Sequence, residues 1–199
     1  MQPKIITISR EYGSGGRDIG RRVAETLHIP FYDSEIIRET MKKTGLPEEV
    51  IQSAEQRVTS SFLFNIAMGV DITRNYIQQI HVAEKEVILE KIAEGSCVIV
   101  GRSANFILQN KVPSVRAFIY ADMDSRMKYA SEHYGIDVKN VHSVITRSDS
   151  ERSLYSKNFY NEDWGERTNY DMLLNSALLG IDGCVDLIIT AYRKESKEM

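Results

Sequence analysis

A run of β-branched residues opens onto three closely spaced glycines in the segment Ile5-Ile6-Thr7-Ile8-Ser9-Arg10-Glu11-Tyr12-Gly13-Ser14-Gly15-Gly16-Arg17-Asp18. Lys4–Ser9 reads as a short buried strand entered after Pro3. Ile19, Val23, Ala24 and Leu27 then fall at helical spacing, which predicts a helix over Asp18–His28 that ends before Pro30. Glycines between a strand and a helix let successive main-chain N–H groups turn to one side, and the first helical turn adds unpaired donors at its positive dipole end. Such a turn suits a phosphate. Glycine also serves in tight turns that bind nothing, so the alternative at this point is a plain connection.

Two phosphate-binding patterns compete for these glycines. The dinucleotide pattern G-x-G-x-x-G, started at Gly13, requires glycine where Asp18 stands, although Asp33 lies where a ribose-binding acid sits in that pattern. The P-loop pattern G-x-x-x-x-G-K-[ST] fits in register if Gly15 is its second glycine. Arg10 then replaces the first glycine, Gly16 the lysine, and Arg17 the hydroxyl residue. The amide cradle survives these changes; the lysine and the magnesium-binding hydroxyl do not.

The remainder alternates strand and helix. Phe31-Tyr32 is a second strand, and Asp33-Ser34 reads as the cap of a helix over Glu35–Lys43. Gly45-Leu46-Pro47 breaks the chain, and residues 48–93 read as helices interrupted near Gly69-Val70-Asp71. The last of these, Ile72–Ile92, is long and amphipathic; it fits a dimer interface and a core-facing helix equally well. Cys97–Val100 and Val115–Tyr120 are strands, Asp124–Tyr134 and Val138–Asn158 helices, Thr168–Leu174 a final strand and Leu179–Tyr192 a closing helix. Alternation of this kind implies right-handed βαβ units and a three-layer α/β fold on a parallel sheet. The 199 residues are expected to form one domain.

Composition narrows the partners. A net charge of −3 argues against a general nucleic-acid binder. No apolar stretch approaches the ~20 residues needed to span a bilayer. Cys97 and Cys184 sit far apart in apolar runs, as buried free thiols do, which suits a cytoplasmic protein. The four histidines are scattered without zinc spacing, so no metal site is expected from protein ligands alone.

Individual side chains carry different weights. Arg17 opens the first helix, where a cation opposes the dipole unless an anion receives it. Arg10 and Arg21 are weaker candidates of the same kind. Asp18 either caps the helix or holds magnesium through water, with capping preferred. Arg102 follows Cys97–Val100 at the strand end where open α/β sheets place ligands. Arg147 and Glu151, four apart on a helix, also fit a simple surface pair.

Several segments together resemble the cytidylate kinase-like family, P-loop relatives of nucleoside monophosphate kinases. They are Ser9–Arg17, Phe31-Tyr32-Asp33-Ser34, Val100-Gly101-Arg102-Ser103-Ala104, Arg147-Ser148-Asp149-Ser150-Glu151-Arg152, Asp163-Trp164, Asn169–Ser176 and Leu179-Gly180-Ile181-Asp182-Gly183, in that order along the chain. The resemblance implies a P-loop fold on a parallel five-stranded sheet, a helical acceptor-binding insertion over 46–93 and an arginine-bearing lid over 147–167. It implies an ATP- and Mg²⁺-dependent phosphotransferase whose acceptor is a nucleoside monophosphate such as CMP. Gly13, Ser14, Gly15, Gly16, Arg17 and Asp18 correspond to the donor-phosphate loop. Asp33, Ser34, Arg38, Arg102 and Asp149 fall on the acceptor side, although Arg38 sits one residue early and Ser103 replaces an aspartate. Arg17, Arg102, Arg147 and Arg152 are the candidates for stabilising the transferred group, a role arginine fills through its planar, permanently charged fork. Tyr155, Phe159, Tyr160 and Trp164 either stack on a base or pack the lid onto the core. Two other classes stay open: a nucleotide-binding regulatory protein with little catalysis, and a kinase for a non-nucleotide acceptor.

Overall fold

The computed structural model describes residues 4–46 and 71–195, the side chains of 71–77 and 195 excepted. Five strands, β1 (Ile5–Arg10), β2 (Phe31–Tyr32), β3 (Cys97–Val100), β4 (Ser114–Tyr120) and β5 (Met172–Asn175), form one sheet in the order β2-β3-β1-β4-β5. All four pairings are parallel, with Ile6 opposite both Val98 and Val115. The helices are α1 (Gly16–Leu27), α2 (Ser34–Thr44), α3 (Asp71–Glu94), α4 (Ala104–Leu108), α5 (Met123–Tyr134), α6 (Val138–Tyr160) and α7 (Ser176–Glu195).

Period-two alternation sends the apolar residues of the central strands to both faces. Ile6, Ile8, Val98, Val100, Ala117 and Ile119 pack with Ile19, Val23 and Ala24 of α1 and Cys184, Val185 and Ile188 of α7. On the opposite face, Ile5, Cys97 and Ile99 meet Val87, Ile88 and Ile92 of α3, Ile36 of α2, and Ile107 and Leu108 of α4. The expected three-layer α/β architecture with a five-stranded parallel sheet is therefore present. Both thiols are free and buried, and burial pushes Cys97 up to about 12 and Cys184 up to about 11. No helix among the described residues is long and apolar enough to cross a membrane.

Four local expectations are corrected. The last strand begins at Met172, not Thr168, because Arg167–Asn169 forms a 3₁₀ turn. Asp171 then clamps the edge of β4, its carboxylate accepting from the Arg116 main-chain amide at 2.8 Å and the guanidinium Nη2 at 2.7 Å. The closing helix starts three residues earlier than read, at Ser176, and is kinked at Gly180 (φ 69°, ψ 171°). Neither carboxylate read as a helix cap makes a capping hydrogen bond: Asp18 lies in the first turn of α1 and pairs with Arg21 at 2.6 Å and Arg22 at 3.1 Å, while the carboxylate of Asp33 turns to Arg17. The five-residue α4 was not anticipated. Half of the helical insertion read over 46–93, residues 47–70, lies outside the described residues; its last helix, α3, runs Asp71–Glu94 and ends at Gly95.

Candidate nucleotide site

The strand order reverses direction at β1, whose neighbours β3 and β4 lead to opposite sides of the sheet, and the glycine loop leaves from the carboxyl end of that strand. Open α/β sheets bind ligands at this point. Gly13 and Gly15 adopt left-handed conformations, φ 81° and 74°. A Cβ on Gly13 would lie 2.5 Å from the Arg126 carbonyl oxygen, so α5 backs the loop from outside. The loop braces itself with Glu11 N–H to Ile119 O, 2.9 Å, Ser14 N–H to Glu11 O, 3.3 Å, and the Ser14 hydroxyl on Glu11 O, 2.9 Å. The amides of Gly13, Gly15, Gly16, Arg17 and Asp18 donate to nothing among the described residues. Left-handed glycines followed by a helix start present such amides as a concave donor set.

Charged side chains surround the loop in three groups. Beneath it, Asp149 of α6 accepts from the Tyr12 amide at 2.8 Å and pairs with Arg126 and, at 3.3 Å, with Arg152. Arg126 also faces Glu11 at 3.4 Å, and burial raises the Glu11 carboxyl against the opposing pull of the Ala121 amide and Arg126. On the far side of β3, three consecutive residues are left-handed: Gly101 (φ 77°), Arg102 (55°) and Ser103 (50°). Two of these carry side chains, and such strain concentrates at functional sites. It aims Arg102 at Glu84 of α3, Nη1 to Oε1 3.1 Å, and the other Glu84 oxygen accepts from the Tyr155 hydroxyl at 3.0 Å. Tyr155 in turn bonds His81 Nδ1 at 3.1 Å, and His81 stacks on Phe159. The third group is exposed: Arg17 pairs with Asp33 at 2.6 Å, its side chain 61% accessible.

The anticipated residues thus divide. Gly13–Asp18, Arg102 and Arg152 gather at the carboxyl end of β1 and β3. Asp33 and Ser34 begin α2 beside Arg17. Arg38 is exposed on α2 and makes no ion pair among the described residues. Arg147 points into solvent, 71% accessible, and holds Glu151 at 2.8 Å, the surface-pair alternative for that residue. The aromatics pack: Phe159 against His81 and Tyr155, Tyr160 against Phe106, Trp164 against Phe118.

Glu84, Arg126 and Glu11 were not singled out by sequence reasoning. A signal existed for Glu84: it interrupts the stripe Ile80-Ala83-Val87-Ile88 on the buried face of an amphipathic helix, and a charge placed there requires a buried partner. Arg126 shares the buried face of α5 with Ala130 in the same way.

Of the clefts around the loop among the described residues, two flank Gly13 and Arg10. One, about 250 Å³, is lined by Gly13, Ser14, Lys128, Tyr129, Ala177 and Ile181 among others, between α5 and α7. The other, a polar pocket between β1 and β3, is lined by Ser9, Arg10, Arg102, Ser103, Asn105 and Arg152 among others.

The pattern that defines the cytidylate kinase-like family matches residues 5–178, covering the loop, all three charged groups and the sheet. The chain belongs to that family. It is 29% identical over 189 residues to a cytidylate kinase of Archaeoglobus fulgidus, covering 94% of this chain and 93% of the relative. An uncharacterized protein from Eubacterium ventriosum superposes with a TM-score of 0.71 at 27% identity, over 95% of this chain and 98% of that one. Shikimate kinase from Acinetobacter baumannii shares the fold, with a TM-score of 0.53 at 15% identity over 100% and 95% of the two chains.

Proposed function

We propose that this protein is an ATP-dependent phosphotransferase whose acceptor is a nucleoside monophosphate of the CMP type. The observation that carries the reading is the set of unpaired amides at Gly13 and Gly15–Asp18, opening at the sheet's ligand-binding end beside Arg102 and Arg152. Family membership and the relatives named cytidylate kinase support it.

In this reading the Gly13–Arg17 amides hold the donor β- and γ-phosphates, and the 250 Å³ cleft beside Tyr129 and Ile181 takes the donor base. Asp33, Ser34 and Arg102 face the acceptor, with Arg38 at the outer edge of that side. An acceptor phosphate oxygen attacks the γ-phosphorus in line, the bond to the β–γ bridging oxygen breaks, and ADP leaves. Arg152, which lines the polar pocket between β1 and β3, is assigned to the transferred group. Arg147 reaches it only by leaving Glu151, and Asp149 serves by holding Arg152 in place. Magnesium is a weaker fit to the loop than ATP, because Arg17 stands where a hydroxyl ligand would be. Asp33 is the carboxylate offered on that side, and Mg²⁺ bound chiefly by phosphates and water needs no more than one or two. When bound, the ion neutralises charge on the donor phosphates.

Coupled ADP release, with a panel of nucleoside monophosphates and small alcohols as acceptors, tests the assignment. Turnover with CMP well above the acceptor-free rate is the expected result. The glycine at position 16 favours one competing reading, a nucleotide-binding regulator without catalysis. ATP binding with no turnover on any acceptor would establish that reading, and turnover confined to an alcohol would establish a non-nucleotide kinase.

A further inference from the structure

The P-loop pattern puts a lysine at the start of its helix, and this chain has Gly16 there, while the first glycine of the pattern is Arg10. The structure connects the two departures. A Cβ on Gly16 would lie 2.5 Å from Arg10 Cβ and 3.0 Å from its Cγ. The space through which a side chain at 16 would leave the helix is occupied by the stem of Arg10. Further along, Gly101 gives the same residue room: a Cβ there would lie 2.2 Å from Arg10 Nη1 and 3.0 Å from Cζ. The two glycines leave one channel, and Arg10 runs through it from the end of β1 to the mouth of β3.

The head of Arg10 has no counter-ion among the described residues. Arg17, Arg102, Arg126, Arg147 and Arg152 each hold a carboxylate. Arg10, half-buried, makes no side-chain hydrogen bond or ion pair among the described residues. It shares its pocket with Arg102 and Arg152, and Arg152 Nη1 is anchored on the Arg10 carbonyl at 2.9 Å. Asn105 lines the same pocket, 3% exposed, and its amide nitrogen has no hydrogen-bond partner among the described residues. A half-buried guanidinium facing two others is unfavourable unless an anion arrives.

We propose that Arg10 replaces the missing P-loop lysine: it delivers the cation from the strand side, with its guanidinium on the phosphoryl group that passes between donor and acceptor. The inference rests on the phosphotransferase reading. A planar fork can hold two oxygens at once, where an ammonium acts as a point charge.

The test is a set of variants in the ADP-release assay, with folding checked by circular dichroism and affinity for a non-hydrolysable ATP analogue measured by calorimetry. Arg10→Met is expected to lower kcat by about 10²-fold or more. Arg10→Lys keeps the charge without the fork and falls between wild type and Arg10→Met. The deciding variant is the swap Arg10→Gly with Gly16→Lys, which restores the ordinary pattern and vacates the channel a lysine at 16 needs. It should turn over at least ten-fold faster than Arg10→Gly alone, whereas Gly16→Lys alone is impaired because Arg10 blocks it. Arg10→Met within three-fold of wild type in both kcat and analogue affinity, or a swap no faster than Arg10→Gly, would overturn the proposal and leave the kinase reading intact. If wild type turns over no acceptor, the kinase reading falls by itself. Analogue affinity then decides Arg10: a ten-fold loss in Arg10→Met sustains its phosphate contact, and unchanged affinity removes it.

Discussion

Removing the carboxylate of Glu84 should cost more stability than any surface change on the molecule. Glu84 is 1% exposed and holds Arg102 at 3.1 Å and the Tyr155 hydroxyl at 3.0 Å. Arg102 itself is nearly buried and sits in a left-handed backbone that its neighbours must maintain. Deleting one member of such a pair leaves the other charge uncompensated, a loss of about 3–5 kcal/mol. Set against a total stability of about 5–15 kcal/mol, that is a large share. With a urea dependence of roughly 2 kcal/mol per molar, the unfolding midpoint of Glu84→Ala should fall by about 2 M. Glu84→Gln, which keeps an acceptor for Tyr155, should lose less. Adding Arg102→Met to Glu84→Leu should recover much of the loss, since an apolar pair of similar volume avoids the desolvation of both charges. Urea unfolding followed by circular dichroism reads wild type and these variants, with Glu84→Leu and Arg102→Met also measured singly. A midpoint shift below about 0.5 M for Glu84→Ala, or strictly additive effects of the two apolar substitutions, would refute the reasoning.

Three further outcomes are expected. Arg17→Ala should weaken ATP binding several-fold and Arg21→Ala should do less, because Arg21 is already satisfied by Asp18 and Glu25; calorimetry showing equal, negligible effects would remove the Arg17 side chain from the site. Burial, with Lys85 adding to it, holds the His81 ring below the ordinary histidine range, so the unfolded chain binds the extra proton first. Its contribution is complete above about pH 6.5 and is lost as pH falls through the depressed folded value, so wild type should lose more stability between pH 7.5 and pH 5.5 than His81→Phe. A parallel pH response of the two proteins in urea melts would contradict that. Gly20→Ala should destabilise by about 1–3 kcal/mol, because its Cβ would press to 2.6 Å from Val100 Cγ2 between α1 and the sheet, and a thermal melt matching wild type would contradict the packing described.

The parts of this molecule legible from sequence are those governed by short-range rules. Cys97–Val100 was readable as a two-faced strand because four apolar residues in a row leave no solvent side. The glycine loop was readable because strand, glycines and helix follow one another within fourteen residues. The final strand starts later than its residues suggest because Arg167–Asn169 closes a 3₁₀ turn and Asp171 answers to Arg116 of β4, more than fifty residues away in the chain. The site was harder for the same reason. Arg102 could be placed at a strand end, but its partner Glu84 could be known only by finding a charge on an apolar stripe. Arg10 looked like a loss of the pattern until the stem was seen lying over Gly16. Asp18 and Asp33 were read as caps from position alone, and both are recruited by arginines that local rules do not see.

Asp149 links two parts of the enzyme that are usually considered separately. One oxygen receives the amide of Tyr12, within the glycine turn, while the same carboxylate grips Arg126 and Arg152. Helix α6 and the glycine turn are thereby fastened at one pin. Any displacement of α6 either drags Tyr12 with it or lets the amide go. A movement of α6 is thus felt in the glycine turn itself.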